Sequence, residues 1–310
     1  MSAAKKGAAS AAQEVAATVA DESKPAEGAL VTRDERHAEA AASALARMPV
    51  GESIGAGFED AGAEAYAIPF LKVLQTNSPE VDESDGKHVA GAKPGMLLNS
   101  VTGELFDGKD GVQFIPAAYQ RKFLRWAPRG SQQGFRGEMD ATGVNAMRDS
   151  GELKVHEGRE YVVLENGTVD DKKCDRVVDT RSHFGLIRSA SGELQQVLLS
   201  LSSTQIKKSK LLMTLMMQKQ EVAVRPDGSK VRGPRNMFKN EVAITTSRES
   251  NDRGSWFGVH FSKLKDADSD AAAFGEVFHQ SVTGGAVKVN YAEADVAGSE
   301  SGDSVQPDKF

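Results

Sequence analysis

Cysteine is almost missing: Cys174 is the only one in 310 residues. Its isolation excludes an internal disulfide and a cysteine-built zinc cage, and it fits a reducing cytoplasm. Apolar residues are scarce for a chain packed from end to end, at 39%, with only 6% aromatic, so part of the chain is expected to stay unfolded. The shortage sits at the two ends, where Ala, Ser, Gly, Glu and Lys leave too little apolar surface to offset chain entropy. No apolar run approaches the length of a bilayer span, and Met1 to Ala20 lacks the continuous apolar core of a signal peptide. A soluble cytoplasmic protein with no membrane partner is expected.

Signatures of chemistry are missing too. The six histidines, His37, His88, His156, His183, His260 and His279, never fall at close ligand spacing, and no Ser-His-Asp or paired-carboxylate pattern stands out. Gly103 to Lys109 has the spacing of a phosphate loop, but Asp110 stands where a magnesium-binding Ser or Thr is needed, and Glu104 and Asp107 would repel phosphate. Asp266, Asp268 and Asp270 open like a calcium loop, yet Ala271 replaces the required glycine and Val277 the closing carboxylate; capping of a following helix explains them better. The expectation is a protein that is not an enzyme and needs no cofactor or metal.

Three regions follow from the change in texture along the chain. Residues 1–62 read as a disordered Ala-rich arm with a transient helix over Arg33 to Met48. Residues 63–285 carry short apolar runs punctuated by Gly, Pro, Asn and Asp, the pattern of strands and turns. Residues 286–310 read as a disordered acidic tail. Within the middle region strands are expected at Ile68 to Leu74, Gly95 to Ser100, Glu104 to Phe106, Val112 to Trp126 and Tyr161 to Leu164. Pro116 should bend the long strand or keep it at an edge. A hairpin follows at His183 to Arg188 and Gln195 to Leu201, and a last pair at Val242 to Thr246 and Ser255 to Phe261. Helices are expected at Ile206 to Gln218, opened by a Ser202/Gln205 capping box, and at Ala271 to Phe278. The fold class is therefore mainly β with a few helices, and a barrel or partly open barrel solves the edge problem for such a set.

The net charge is -6, but only local charge meets a partner. The stretch around Tyr119, Arg121, Lys122, Phe123, Arg125, Trp126 and Arg129 alternates cations with rings, and no acid occurs from Val112 to Gly137. Single-stranded nucleic acid needs this combination, because unstacked bases offer faces to rings while phosphates need Lys or Arg alongside. Two further acid-free segments hold Lys207, Lys208, Lys210 and Lys219, and Lys230, Arg232, Arg235 and Lys239. The second, Gly228 to Asn240, reads as a basic flap or a plain connector. The acidic tail, with Asp303, Asp308 and the terminal Phe310, can lie in a basic groove as a phosphate mimic or present a ring and carboxylate to a partner.

Ile68 to Gln75, Lys93 to Gly103, the basic aromatic strand, and Leu201 to Gln205 leading into Lys207 to Lys210 resemble phage-encoded single-stranded DNA-binding proteins. The resemblance covers roughly Tyr66 to Phe261, plus the tail. It implies a five-stranded OB-like barrel with extensions, a basic aromatic groove, and a role in DNA replication, recombination and repair in the host cytoplasm. It also implies tail contacts with polymerase, helicase or primase; a second copy of the chain is an open partner. Two other readings stay open. One is a virion or scaffold component with a basic surface, and the other a metal-dependent nucleic-acid enzyme whose carboxylates, such as Asp175, Asp179 or Glu241, meet only in the fold.

Overall fold

The computed structural model describes residues 66–294, apart from 129, 130, 132, 133 and 253. Arg129, the Ala-rich arm and the tail residues Asp303, Asp308 and Phe310 lie outside the described residues. The chain is mainly β and antiparallel. A small sheet holds β1 (Leu71–Val73), β2 (Leu97–Asn99) and β3 (Leu105–Phe106) in that order.

The main sheet is built on two long strands, β4 (Val112–Trp126) and β8 (Arg176–Arg188), paired from Phe114↔Ile187 to Trp126↔Arg176. Pro116 has no N–H to give to the ladder, and the register shifts between Pro116 and Ala118, bending the strand as its sequence suggests. Beyond the shift Tyr119, Arg121, Phe123 and Arg125 share one face, and Gln120, Lys122, Leu124 and Trp126 the other.

β9 (Leu194–Ser202) completes a three-strand meander by pairing with β8. A helix, α2 (Ile206–Gln218), then leads toward the hairpin of β12 (Asn240–Asn251) and β13 (Gly254–Phe261). β12 returns to pair with the start of β4, Val242 opposite Phe114. Meander, helix and returning hairpin put β12, β4, β8 and β9 side by side in Greek-key order. Of the barrel or partly open barrel expected, no closed form is found: among the described residues the sheet has nine strands, and no ladder joins β9 to β13. The reason is local. Leu198 donates its N–H to Pro69 at 2.8 Å and Phe70 bridges Leu198 in parallel, so the segment before β1 takes part of the β9 edge that a closing strand would need.

Two additions escape a sequence reading. Between β4 and β8 the chain inserts β5 (Phe135–Met139), α1 (Ala141–Asp149), β6 (Leu153–His156) and β7 (Arg159–Val162), where only one strand was expected. After α2 it forms a separate two-stranded ribbon, β10 (Gln220–Val224) with β11 (Lys230–Pro234), so the expected flap at Gly228 to Asn240 is partly strand.

Four clusters of buried side chains hold the described residues together, the smallest being Leu74, Ala92 and Leu98 beside the small sheet. On one sheet face α3 (Ser269–Thr283) lays Phe278 and Val282 on Ile115, Leu124, Trp126, Phe184 and Leu198. Tyr291 joins this cluster with its hydroxyl 2.9 Å from Ser182 Oγ, so the packed chain runs past residue 286, the expected start of the tail. On the opposite face α2 sets Leu212 and Met216 against Phe114, Ile187, Leu199, Ile244 and Val259. Under α1, Val144 and Leu153 cover Phe123 and Val177. Asp268 caps α3 by accepting from the Ala271 N–H at 2.9 Å, which accounts for the acidic run there. The expected Ser202/Gln205 box does not form; Ser203 sits at φ 51 and Gln205 turns inward to accept from Val259 N at 3.0 Å. Among the described residues no helix is long and apolar enough to cross a membrane.

Candidate nucleic-acid interface

The basic aromatic strand was the leading candidate, and its rings and charges are committed elsewhere. Phe123 is 0% exposed under α1 and Trp126 is 5% exposed, edge-on to Phe135 at 5.3 Å between centroids. Tyr119 accepts a hydrogen bond from Arg181 Nη1 at 2.8 Å and lies against the His183 ring. These rings are packing elements, not open stacking platforms.

The cations of the strand are matched by carboxylates from neighbouring strands. Asp179 takes two bonds from Arg121, at 3.1 and 2.7 Å, and one from Arg181 at 2.9 Å. Burial alone would push the Asp179 carboxyl up, but the bonds from Arg121 and Arg181 outweigh it and hold the group below its usual range. Asp175 accepts from Arg125 at 2.6 Å and attracts Arg136 at 3.7 Å. Lys122 meets Glu138 at 3.0 Å. The acid-free run in sequence is thus neutralised in space, because each strand's charges are set by its cross-strand partners. Asp175 and Asp179 serve these arginines, and Glu241 stands apart on β12 opposite Lys265. Among the described residues no group of three His, Cys, Asp or Glu is placed to hold a metal.

A different picture holds on α2 and the ribbon. Ser209, Leu212 and Met216 face inward, as the Leu/Met stripe suggests. Lys208 is drawn to Glu249 at 2.8 Å, while Lys207 and Lys210 are exposed and make no ion pair among the described residues. Arg235 and Lys219 both reach Asp266, and Lys239 pairs with Glu221 at 2.8 Å.

The ribbon's register places Val222 opposite Arg232 and Val224 opposite Lys230, so one face combines two valines with two cations. Val222 is 55% and Val224 65% exposed. Arg225 opens the turn, closed by its own N–H to the Ser229 carbonyl at 2.8 Å with Gly228 at φ 80. Arg225, Lys230 and Arg232 are exposed without an ion pair among the described residues, and no ribbon residue joins a buried cluster. Of the residues expected from sequence, Lys207, Lys210 and Arg232 therefore remain open to a polyanion. Arg121, Lys122, Arg125, Lys208 and Arg235 are already matched. Lys230 and Arg225 complete the open set, and the segregation of cations over residues 202–240 was the signal for it.

No curated protein and no solved structure matches the chain. The model of a phage family, described as Pam3 phage gp34-like protein, matches residues 37–288. That match spans the small sheet, the central pair, the ribbon and the three helices of the described residues, and the chain belongs to the Pam3 phage gp34-like protein family.

Proposed function

We propose that this phage protein binds single-stranded DNA without chemistry and coats strands exposed during phage replication, recombination and repair. The observation that carries the reading is the set of uncompensated cations, Lys207, Lys210, Arg225, Lys230 and Arg232, gathered on α2 and the ribbon in a chain that is acidic overall. Phosphates provide the matching charge and exposed bases the matching apolar surface for Val222 and Val224. The Greek-key strand order supports the same reading, since OB-type barrels present a strand face and loops to oligonucleotides. The acidic tail, through Asp303, Asp308 and Phe310, acts on this reading as a competitor of DNA or a handle for a replication polymerase, helicase or primase.

Fluorescence anisotropy over a salt series tests it, with single-stranded DNA, duplex DNA and single-stranded RNA compared. Each phosphate contact on a single strand contributes about 0.7 to the log-log salt slope. The expected result is a salt-sensitive preference for single-stranded DNA that collapses when Lys207, Lys210, Lys230 and Arg232 are changed together to Glu. Weak binding with no strand preference, or full binding by the reversed variant, sinks the proposal.

A further inference from the structure

An open cleft of about 740 Å³, counting the space at its mouth, crosses the sheet from the unclosed seam beside β13 over β9 and β8 to the end of β4. Its floor is polar. Thr180 lies opposite Ser202 in the β8–β9 ladder, and Ser200 lines the cleft on the same strand as Ser202. The Thr180 hydroxyl donates to the Val178 carbonyl at 3.2 Å, but the half-buried hydroxyls of Ser200 and Ser202 have no hydrogen-bond partner among the described residues. Its walls are apolar, with Phe70 on the β1 side and Leu124, Trp126 and Val178 at the far end. Gln75, Gln205 and Phe257 line the seam end.

Charge narrows the occupant. The only cation in the lining is Lys72, and its ammonium is held by Glu80 at 3.1 Å. A phosphate or carboxylate would enter without a counter-charge, which is costly away from water. A neutral planar group with apolar faces and a hydrogen-bonding edge meets what the cleft offers: apolar walls and two unclaimed hydroxyls.

We propose that the cleft seats one unstacked base of the bound strand, with its edge toward Ser200 and Ser202 and its faces between the apolar walls. The inference rests on the single-strand reading above and divides the labour within it. Phosphates are held by the open cations of α2 and the ribbon, and a base is held by the cleft. The two regions are continuous in the chain, because Gln205 at the cleft directly precedes the helix that carries Lys207 and Lys210.

The test compares a thymidine oligonucleotide with a strand of equal length whose sugars carry no bases. The chain has two tryptophans, so in a Trp256→Phe variant the emission comes from Trp126 at the cleft's end. The thymidine strand is expected to change that emission and the base-free strand to leave it unchanged. A Ser200→Val, Ser202→Val double variant, full length, should bind the thymidine strand about tenfold more weakly while its affinity for the base-free strand stays the same. Normal binding of the thymidine strand by the double variant, with Trp126 emission unaltered, overturns the base site and leaves the coating function standing. Absence of binding to either strand by the unmodified protein overturns the coating function, and the base site with it.

Discussion

Gln75 stands in for a strand beside Phe257: its Nε2 donates to the Phe257 carbonyl at 3.0 Å and its Oε1 accepts the Phe257 N–H at 2.8 Å. A side-chain amide thereby satisfies the edge of β13 that a closed barrel would pair with β9. Gln205 repeats the device at Val259 N, 3.0 Å away. Gln75→Ala leaves a backbone donor and acceptor unsatisfied at a largely buried seam, at a cost of about 2 to 4 kcal/mol. A drop in the urea midpoint with an unchanged slope measures it, and a loss under about 0.5 kcal/mol shows that the seam is held by other contacts.

His183 is the second place where burial sets behaviour. It lies between Tyr119, Arg181 and Ser209, with Nε2 2.8 Å from Ser209 Oγ and Nδ1 without a partner. Burial first, and then the Arg181 charge, push its pKa from 6.5 down to about 3. The folded protein therefore keeps the imidazole neutral where the unfolded chain takes up a proton. Stability must fall as pH drops from about 6.5 toward about 3, with a slope approaching 1.4 kcal/mol per pH unit, about one proton's worth. Changing His183 to Gln removes the titrating group and should flatten that slope between about pH 6 and about pH 4.5. An unchanged slope assigns the acid sensitivity to other groups.

Asp179 works in the opposite sense. Its depressed carboxyl stabilises the fold above the ordinary carboxylate range, and that contribution fades as pH falls through the depressed value. Asp179→Asn strips the shared partner from Arg121 and Arg181. Because all three side chains are partly exposed, a loss of about 1 to 3 kcal/mol at neutral pH is expected, narrowing below about pH 4. The DNA salt slope should not change, since the open cations lie on α2 and the ribbon. A steeper slope in this variant returns Arg121 and Arg181 to the DNA-contacting surface.

The long strand, its bend at Pro116, the β8–β9 hairpin, α2 and the closing hairpin were all legible from periodicity, because their alternating or helical apolar patterns extend over many residues. Of the insertion between β4 and β8, only a strand near β7 was. Its strands are short and mostly polar, with Lys154, Val155 and His156 all exposed, and they fold by pairing rather than by amphipathic pattern. The ion pairing of the candidate strand was hidden for a related reason. Sequence shows that no acid neighbours Arg121 and Arg125 along the chain, but the pairing Phe123↔Asp179 sets a carboxylate beside the arginines from 56 residues away by numbering, Asp179 against Phe123. Lys207 and Lys210 of α2 and Lys230 of the ribbon stayed open because their elements have few cross-strand neighbours to supply acids.

That openness makes the ribbon removable. Gln220 and Pro234 face each other at its base, so residues 221–233 can be replaced by a short Gly-Ser turn without stretching the chain. The deletion removes no buried cluster member and loses one exposed ion pair, Glu221 with Lys239. Stability should therefore change by less than about 1 kcal/mol. Binding should suffer instead, because Arg225, Lys230 and Arg232 leave together. If each holds a phosphate, the log-log salt slope on single-stranded DNA becomes shallower by about 2. A folded deletion variant with an unchanged slope would confine the phosphate contacts to Lys207 and Lys210 on α2, and the ribbon's valines and cations would then need a protein partner rather than a nucleic acid.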